Sequence, residues 1–150
     1  MVWIGTLLAL ALATADAPAA PPPQEVEVCA LKIEASGTLA AGQQPQVAGE
    51  LREVRKLMPT AWTYAVYRFL GEECRKLILG AQATFALPDP YLLRIRREEG
   101  GQKVRLQYSL MKGGEAIVEM GAGLPNRGST WVGGPSTGSG TLYVLLSARW

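Results

Sequence analysis

Two adjacent carboxylate pairs, Glu72-Glu73 and Glu98-Glu99, are the first residues of this 150-residue chain whose types could do chemistry. Hydrolysis of a glycosidic bond needs two carboxyl groups facing each other across a cleft at a fixed separation. Neighbours in a strand instead point to opposite faces, and both pairs sit among basic and turn-forming residues. That pattern reads as solvated hairpin ends. A second candidate is the run Gly133-Gly134-Pro135-Ser136-Thr137-Gly138-Ser139-Gly140. Glycines let backbone amides approach an anion, but a phosphate cradle also needs a lysine and a helix N-terminus after it. Here the run leads into a strand-like stretch, residues 141–148, and no lysine follows the glycines. It reads as a flexible hairpin loop. With Trp131 and Tyr143 beside it, the small polar run has the composition of an adaptable binding surface. A contact loop is therefore expected at Trp131, Gly133, Gly134, Pro135 and Tyr143.

The chain has no histidine, which removes the commonest metal ligand and the side chain best suited to proton transfer near neutral pH. A Ser or Thr nucleophile would need Lys or a carboxylate as its base, and no such pairing is expected. Cys29 and Cys74 are the only thiols. In an oxidising compartment they could pair, closing a loop that stabilises by about 3 to 4 kcal/mol. The alternative is two buried free thiols acting as small hydrophobes, and sequence alone leaves both open. Arg75-Lys76 beside Cys74 would lower a thiol pKa, but no His is present to activate it. No catalytic residue, metal-ligand set or cofactor is expected.

Fifteen Lys and Arg against thirteen Asp and Glu give a net charge of +2, too little basic excess to track a phosphate backbone. Nucleic acid is not an expected partner. Residues 2–15 (VWIGTLLALALATA) form an apolar and small-residue run, shorter than the roughly 18 to 20 residues that span a bilayer. It ends at Ala13-Thr14-Ala15, small side chains of the kind a signal peptidase accepts, although no Lys or Arg precedes it. Residues 1–15 are therefore expected to be a signal peptide, residues 16–25 a Pro-rich linker, and residues 26–150 a single β-rich domain without a transmembrane helix. The expected location is periplasmic, outer-envelope or secreted.

The elements that must position these residues follow from periodicity. Residues 26–33 read as a strand with Val26, Val28 and Ala30 on one face, and Leu31 and Ile33 crossing to the core after a bulge. Val47, Leu51, Val54 and Met58 recur at helical spacing and predict one short amphipathic helix, stopped by Pro59. From Trp62 the period becomes two, and strands are expected near residues 62–70, 75–79, 81–87, 91–96, 103–110, 116–120, 129–132 and 141–148. Gly100-Gly101, Gly113-Gly114 and Asn126-Arg127-Gly128 supply tight turns between them. The fold class is mainly β, an antiparallel sandwich or small barrel with one short helix. The last strand ends in an aromatic, Trp150, as outer-membrane barrel strands do, but these strands are shorter than the roughly 9 to 11 residues needed to cross a membrane.

With the turn Leu124-Pro125-Asn126-Arg127-Gly128, followed by Val132-Gly133-Gly134-Pro135 and Gly140-Thr141-Leu142, the region from Val26 to Arg149 resembles small exported bacterial β-domain proteins of unassigned function. That terminal stretch is also similar to the closing hairpin of secretin-type outer-membrane proteins, over about twenty residues and without the long multidomain chain of a secretin. The expected function is a non-enzymatic exported β-domain that binds a protein or cell-envelope partner; the alternative is a structural subunit of an outer-membrane or secretion assembly.

Overall fold

Alternating apolar and polar residues produce nine strands, seen in a computed structural model that describes residues 21–150. The expected signal peptide and the first half of the expected linker lie outside the described residues. Strand β1 (Glu25–Ser36) is central to a five-stranded sheet. It pairs antiparallel with β3 (Val66–Ile78) on one side and with β9 (Thr141–Arg149) on the other. β8 (Gly128–Ser136) flanks β9, and the two-residue β2 (Gln46–Val47) lies parallel to the start of β3. The second sheet is an antiparallel meander of β4 (Gln82–Ala86), β5 (Tyr91–Glu98), β6 (Val104–Lys112) and β7 (Glu115–Leu124). The two sheets form an open β sandwich rather than a closed barrel.

The core is built by period-two alternation in both sheets. Val26, Val28 and Ala30 of β1, with Val144, Leu146 and Ala148 of β9, meet Phe85, Leu93, Ile95, Leu106 and Tyr108 of the opposite sheet. Each fully buried aliphatic side chain contributes roughly 1.5 to 3 kcal/mol. A smaller cluster of Tyr91, Leu110 and Leu142 continues the core toward the other end, joined by Leu70. Arg75 closes one side of the sandwich with its guanidinium 5.9 Å from the centre of the Phe85 ring.

Several local expectations are corrected. Leu31 and Ile33 do not cross to the core; β1 keeps its alternation, and together with Ala35 they form the base of a second apolar layer on the outer face of the sheet. The bulge lies on the partner strand: the register slips between Lys32↔Gly71 and Ile33↔Phe69, leaving Leu70 as the extra residue. That slip also fuses the two expected strands at residues 62–70 and 75–79 into β3, with Gly71 taking a φ of 127° that other residues resist. Glu72 and Glu73 therefore sit within a strand rather than at a hairpin end.

The expected helix over residues 47–58 is replaced by β2 and two 3-10 turns, Gly49–Leu51 and Val54–Leu57. Neither turn has a side-chain cap, and a short uncapped segment does not offset the cost of helix nucleation. Val47, Leu51 and Met58 instead pack with Trp62, Tyr64 and Tyr67 over β1. The apolar spacing thus reports the burial of this segment but not its backbone conformation. Finally, the glycine-rich stretch is strand as far as Ser136, and only the turn between Thr137 and Gly140 reverses the chain.

Candidate functional site

The glycine-rich turn is fixed to the sheet by a carboxylate. Glu34 lies on β1 two and four residues beyond Lys32 and Ala30, on the face that began with Val26 and Val28, and is only 6% exposed. It accepts hydrogen bonds from Thr137 Oγ1 at 2.8 Å and Ser139 Oγ at 3.0 Å. Arg68, opposite it on β3, adds an ion pair at 3.3 Å. Thr137 N–H donates to the carbonyl of Gly140 at 2.9 Å, closing the turn. Tyr91 of the other sheet donates its hydroxyl to the Ser136 carbonyl at 2.9 Å. Both sheets thus hold the base of a turn whose Gly138 and Ser139 are exposed. A buried carboxylate is tolerated because its lone pairs are taken by three donors.

Two glycines make this geometry accessible. A Cβ at position 140 would lie 2.5 Å from the Ala35 carbonyl oxygen and 3.1 Å from Glu34 Cγ, so only glycine lets the turn sit down on β1. A Cβ at position 133 would lie 2.5 Å from the Leu142 carbonyl oxygen and 2.8 Å from Tyr143 Cα.

Tyr143 belongs to an aromatic cluster on the outer face of the same sheet. Trp62 stacks on it at 4.1 Å between centroids, and Trp131 meets Trp62 edge-on at 4.8 Å. The hydroxyls of Tyr64 and Tyr143 are hydrogen-bonded at 2.7 Å, and Trp131 Nε1 donates to the Leu57 carbonyl at 2.8 Å. Burial, and then the bond to Tyr64, raises the Tyr143 hydroxyl well above the usual tyrosine pKa; burial also raises that of Tyr67. The structure therefore brings Trp131, Gly133 and Tyr143 together, with Gly134 and Pro135 in the irregular end of β8. The two aromatic side chains are half-buried packing partners of the segment from Leu57 to Tyr64, while Gly133 and Gly134 are exposed.

One carboxylate of each adjacent pair is engaged elsewhere. Glu73 pairs with Lys32 at 3.6 Å and Arg75 at 3.2 Å; Glu98 pairs with Arg96 at 2.7 Å and Arg105 at 3.8 Å. Ser109 and Lys112 on β6 stand three residues apart, a spacing that could join a nucleophile to a base only if both faced one way. Residues three apart on a strand face opposite ways, and the Lys112 ammonium lies 5.8 Å from the centre of the Tyr91 ring. Cys29 and Cys74 stand directly opposite in the β1–β3 register and are joined as a disulfide with Cα atoms 4.1 Å apart. Their sulfurs lie within 4.8 Å of a Glu27 oxygen, but a bonded pair of sulfurs offers no thiolate to a metal.

Arg97 is a buried charge that the sequence reading misses. It is 2% exposed and donates to the carbonyls of Leu77 at 3.0 Å, Gln24 at 3.1 Å and Pro23. Its Nε has no partner among the described residues. Burial lowers its pKa from the usual arginine range. The signal was present: Arg97 continues the alternation of Tyr91, Leu93 and Ile95, and an expected strand end at Arg96 hid it. The guanidinium fastens the start of the described chain against β5, beside a cavity of about 230 Å³ lined by Pro22, Pro23, Leu79 and Lys103.

No helix among the described residues is long and apolar enough to cross a membrane. No protein-family model matches the chain, and neither curated proteins nor solved structures provide a match.

Proposed function

We propose that this chain is an exported, non-catalytic β-domain that binds a protein or cell-envelope partner through the turn at residues 133–140. The observation that carries this reading is the grip of Glu34 on Thr137 and Ser139, which leaves the exposed backbone of the turn pre-shaped. A loop ordered before it meets a partner loses less conformational entropy on binding. Loops positioned by a rigid sandwich are the usual place for recognition. The Cys29–Cys74 disulfide supports an oxidising compartment, and the apolar run at residues 2–15 supplies the means of reaching it.

The test has two arms, both on the full chain expressed in a bacterium. Intact mass of protein from the periplasm or medium is expected to show a chain beginning after residue 15 and oxidised by two hydrogens. The recovered protein, immobilised, is expected to retain a discrete envelope protein from detergent extracts. The Thr137→Ala/Ser139→Ala variant, which frees the turn from Glu34, is expected to retain much less of it. A full-length, reduced chain contradicts export; equal capture by both proteins contradicts the binding surface.

A further inference from the structure

The strand edges of the sandwich are not alike. The free edge of β8 is broken by Gly133, Gly134 and Pro135, where its register to β9 shifts. β4 is only five residues long, and β3 carries Glu72, Arg75 and Lys76 along its open stretch. These are the usual guards against edge-to-edge pairing. β7 carries a bulge at Ile117, where its register with β6 slips between Leu110↔Val118 and Met111↔Ala116, but the regular stretch beyond it, Val118 to Leu124, holds no proline and one charge, Glu119. Ile117 and Met120 on it are 46% and 53% exposed.

We infer that β7 pairs antiparallel with β7 of a second copy of this chain, with Met120 opposite Met120. In a two-fold strand pair, opposed residues share a face, so their numbers sum to an even value. A register with Glu119 opposite Glu119 sets like charges face to face and is disfavoured. Moving the centre to Met120 places Glu119 opposite Gly121 and Val118 opposite Ala122, both within the regular stretch of β7. Each larger side chain then meets a small one.

Charge complementarity selects the same register. On β6, Gln107 lies opposite Gly121 and Arg105 opposite Gly123. A Cβ at Gly121 would sit 3.2 Å from Gln107 Oε1 and 3.9 Å from both Arg105 Nη2 and the Leu106 carbonyl oxygen, so the glycine leaves a polar recess in which the Arg105 guanidinium, whose Nε lies 3.8 Å from Glu98, is the one cation. The Glu119 carboxylate of the second copy arrives at that recess, and symmetry repeats the contact. The pairing joins two four-stranded sheets into one of eight strands. It uses a different surface from the glycine-rich turn and stands whether or not that turn binds a partner.

Sedimentation of the oxidised full chain at about 100 μM is expected to show a dimer. Glu119→Arg, which sets Arg against Arg105, is expected to weaken it by about tenfold or more, and Glu119→Arg with Arg105→Glu to restore it. In the Met120 register the two Cβ atoms lie about 4.5 to 5.5 Å apart, so Met120→Cys is expected to form a covalent dimer under mild oxidation, while Leu92→Cys does not. A monomer at this concentration overturns the inference. So does a dimer indifferent to Glu119→Arg, which would show association through another part of the chain.

Discussion

Glu34 and Thr137 are separated by 103 residues in sequence and joined by a 2.8 Å hydrogen bond that ties the glycine-rich turn to the central strand of the larger sheet. Glu34→Ala deletes the acceptor for two hydroxyls and the partner of Arg68. Losing a buried acceptor of this kind costs about 1 to 3 kcal/mol. The expected result is a lower urea midpoint with an unchanged m-value, together with faster amide exchange at Thr137. Glu34→Gln keeps an acceptor oxygen and is expected to lose less. An unchanged Thr137 exchange rate would show that the turn is held by other contacts.

The disulfide closes a 45-residue separation. On the chain-entropy estimate, reduction or Cys29→Ser/Cys74→Ser lowers stability by roughly 4 kcal/mol. Unfolding of the oxidised and reduced proteins in urea measures this directly. A difference below about 1 kcal/mol would mean that the paired strands already restrict the reduced unfolded chain.

Alkaline titration reports on the aromatic packing. Tyr67, Tyr108 and Tyr143 all have pKa values raised above 10.0, with burial as the leading cause, and the bond to Tyr64 adds to the shift at Tyr143. A group held neutral in the fold ionises more readily once unfolded. Its stabilising contribution is therefore complete below the unfolded value near 10 and is lost as pH rises above that toward the native value. Absorbance at phenolate wavelengths is expected to show these three tyrosines ionising late, with cooperative unfolding. Tyr143→Phe removes the hydroxyl bond to Tyr64 and is expected to cost about 1 kcal/mol at neutral pH.

Arg97→Met replaces a buried guanidinium with an apolar chain of similar reach. The carbonyls of Pro23 and Gln24 then lose their donor, and the polypeptide before β1 is expected to become a protease target while the sandwich stays folded. Limited proteolysis with mass analysis locates the cut. An uncut N-terminal stretch would show that Pro22 and Pro23 are held by apolar contact alone.

Strand periodicity made much of the sandwich readable. Val104, Leu106, Tyr108 and Leu110 face inward as their alternation requires, and Arg127 takes the positive φ of its turn. What escaped were places where a polar residue occupies a core-facing position. Glu34 and Arg97 continue the inward faces of β1 and β5, and charge alone makes such residues look like strand ends. The alternation showed the site for each, but only folding supplies the partners: hydroxyls from the distant turn for Glu34, backbone carbonyls for Arg97. The segment from Val47 to Met58 failed differently. Its apolar spacing fits both a helix and a chain laid over an aromatic surface, and the burial against Trp62 and Tyr67 that decides between them is nonlocal.

The binding surface is tested most directly by site-specific photo-crosslinking in the expressing cell. A photoreactive side chain at Ser136, on the glycine-rich turn, is compared with one at Arg94, on the outer face of the smaller sheet. A discrete cross-linked envelope partner from position 136 and none from position 94 is the predicted result. Equal labelling from both positions, or a partner captured only from position 94, would contradict a contact surface at the Glu34-anchored turn.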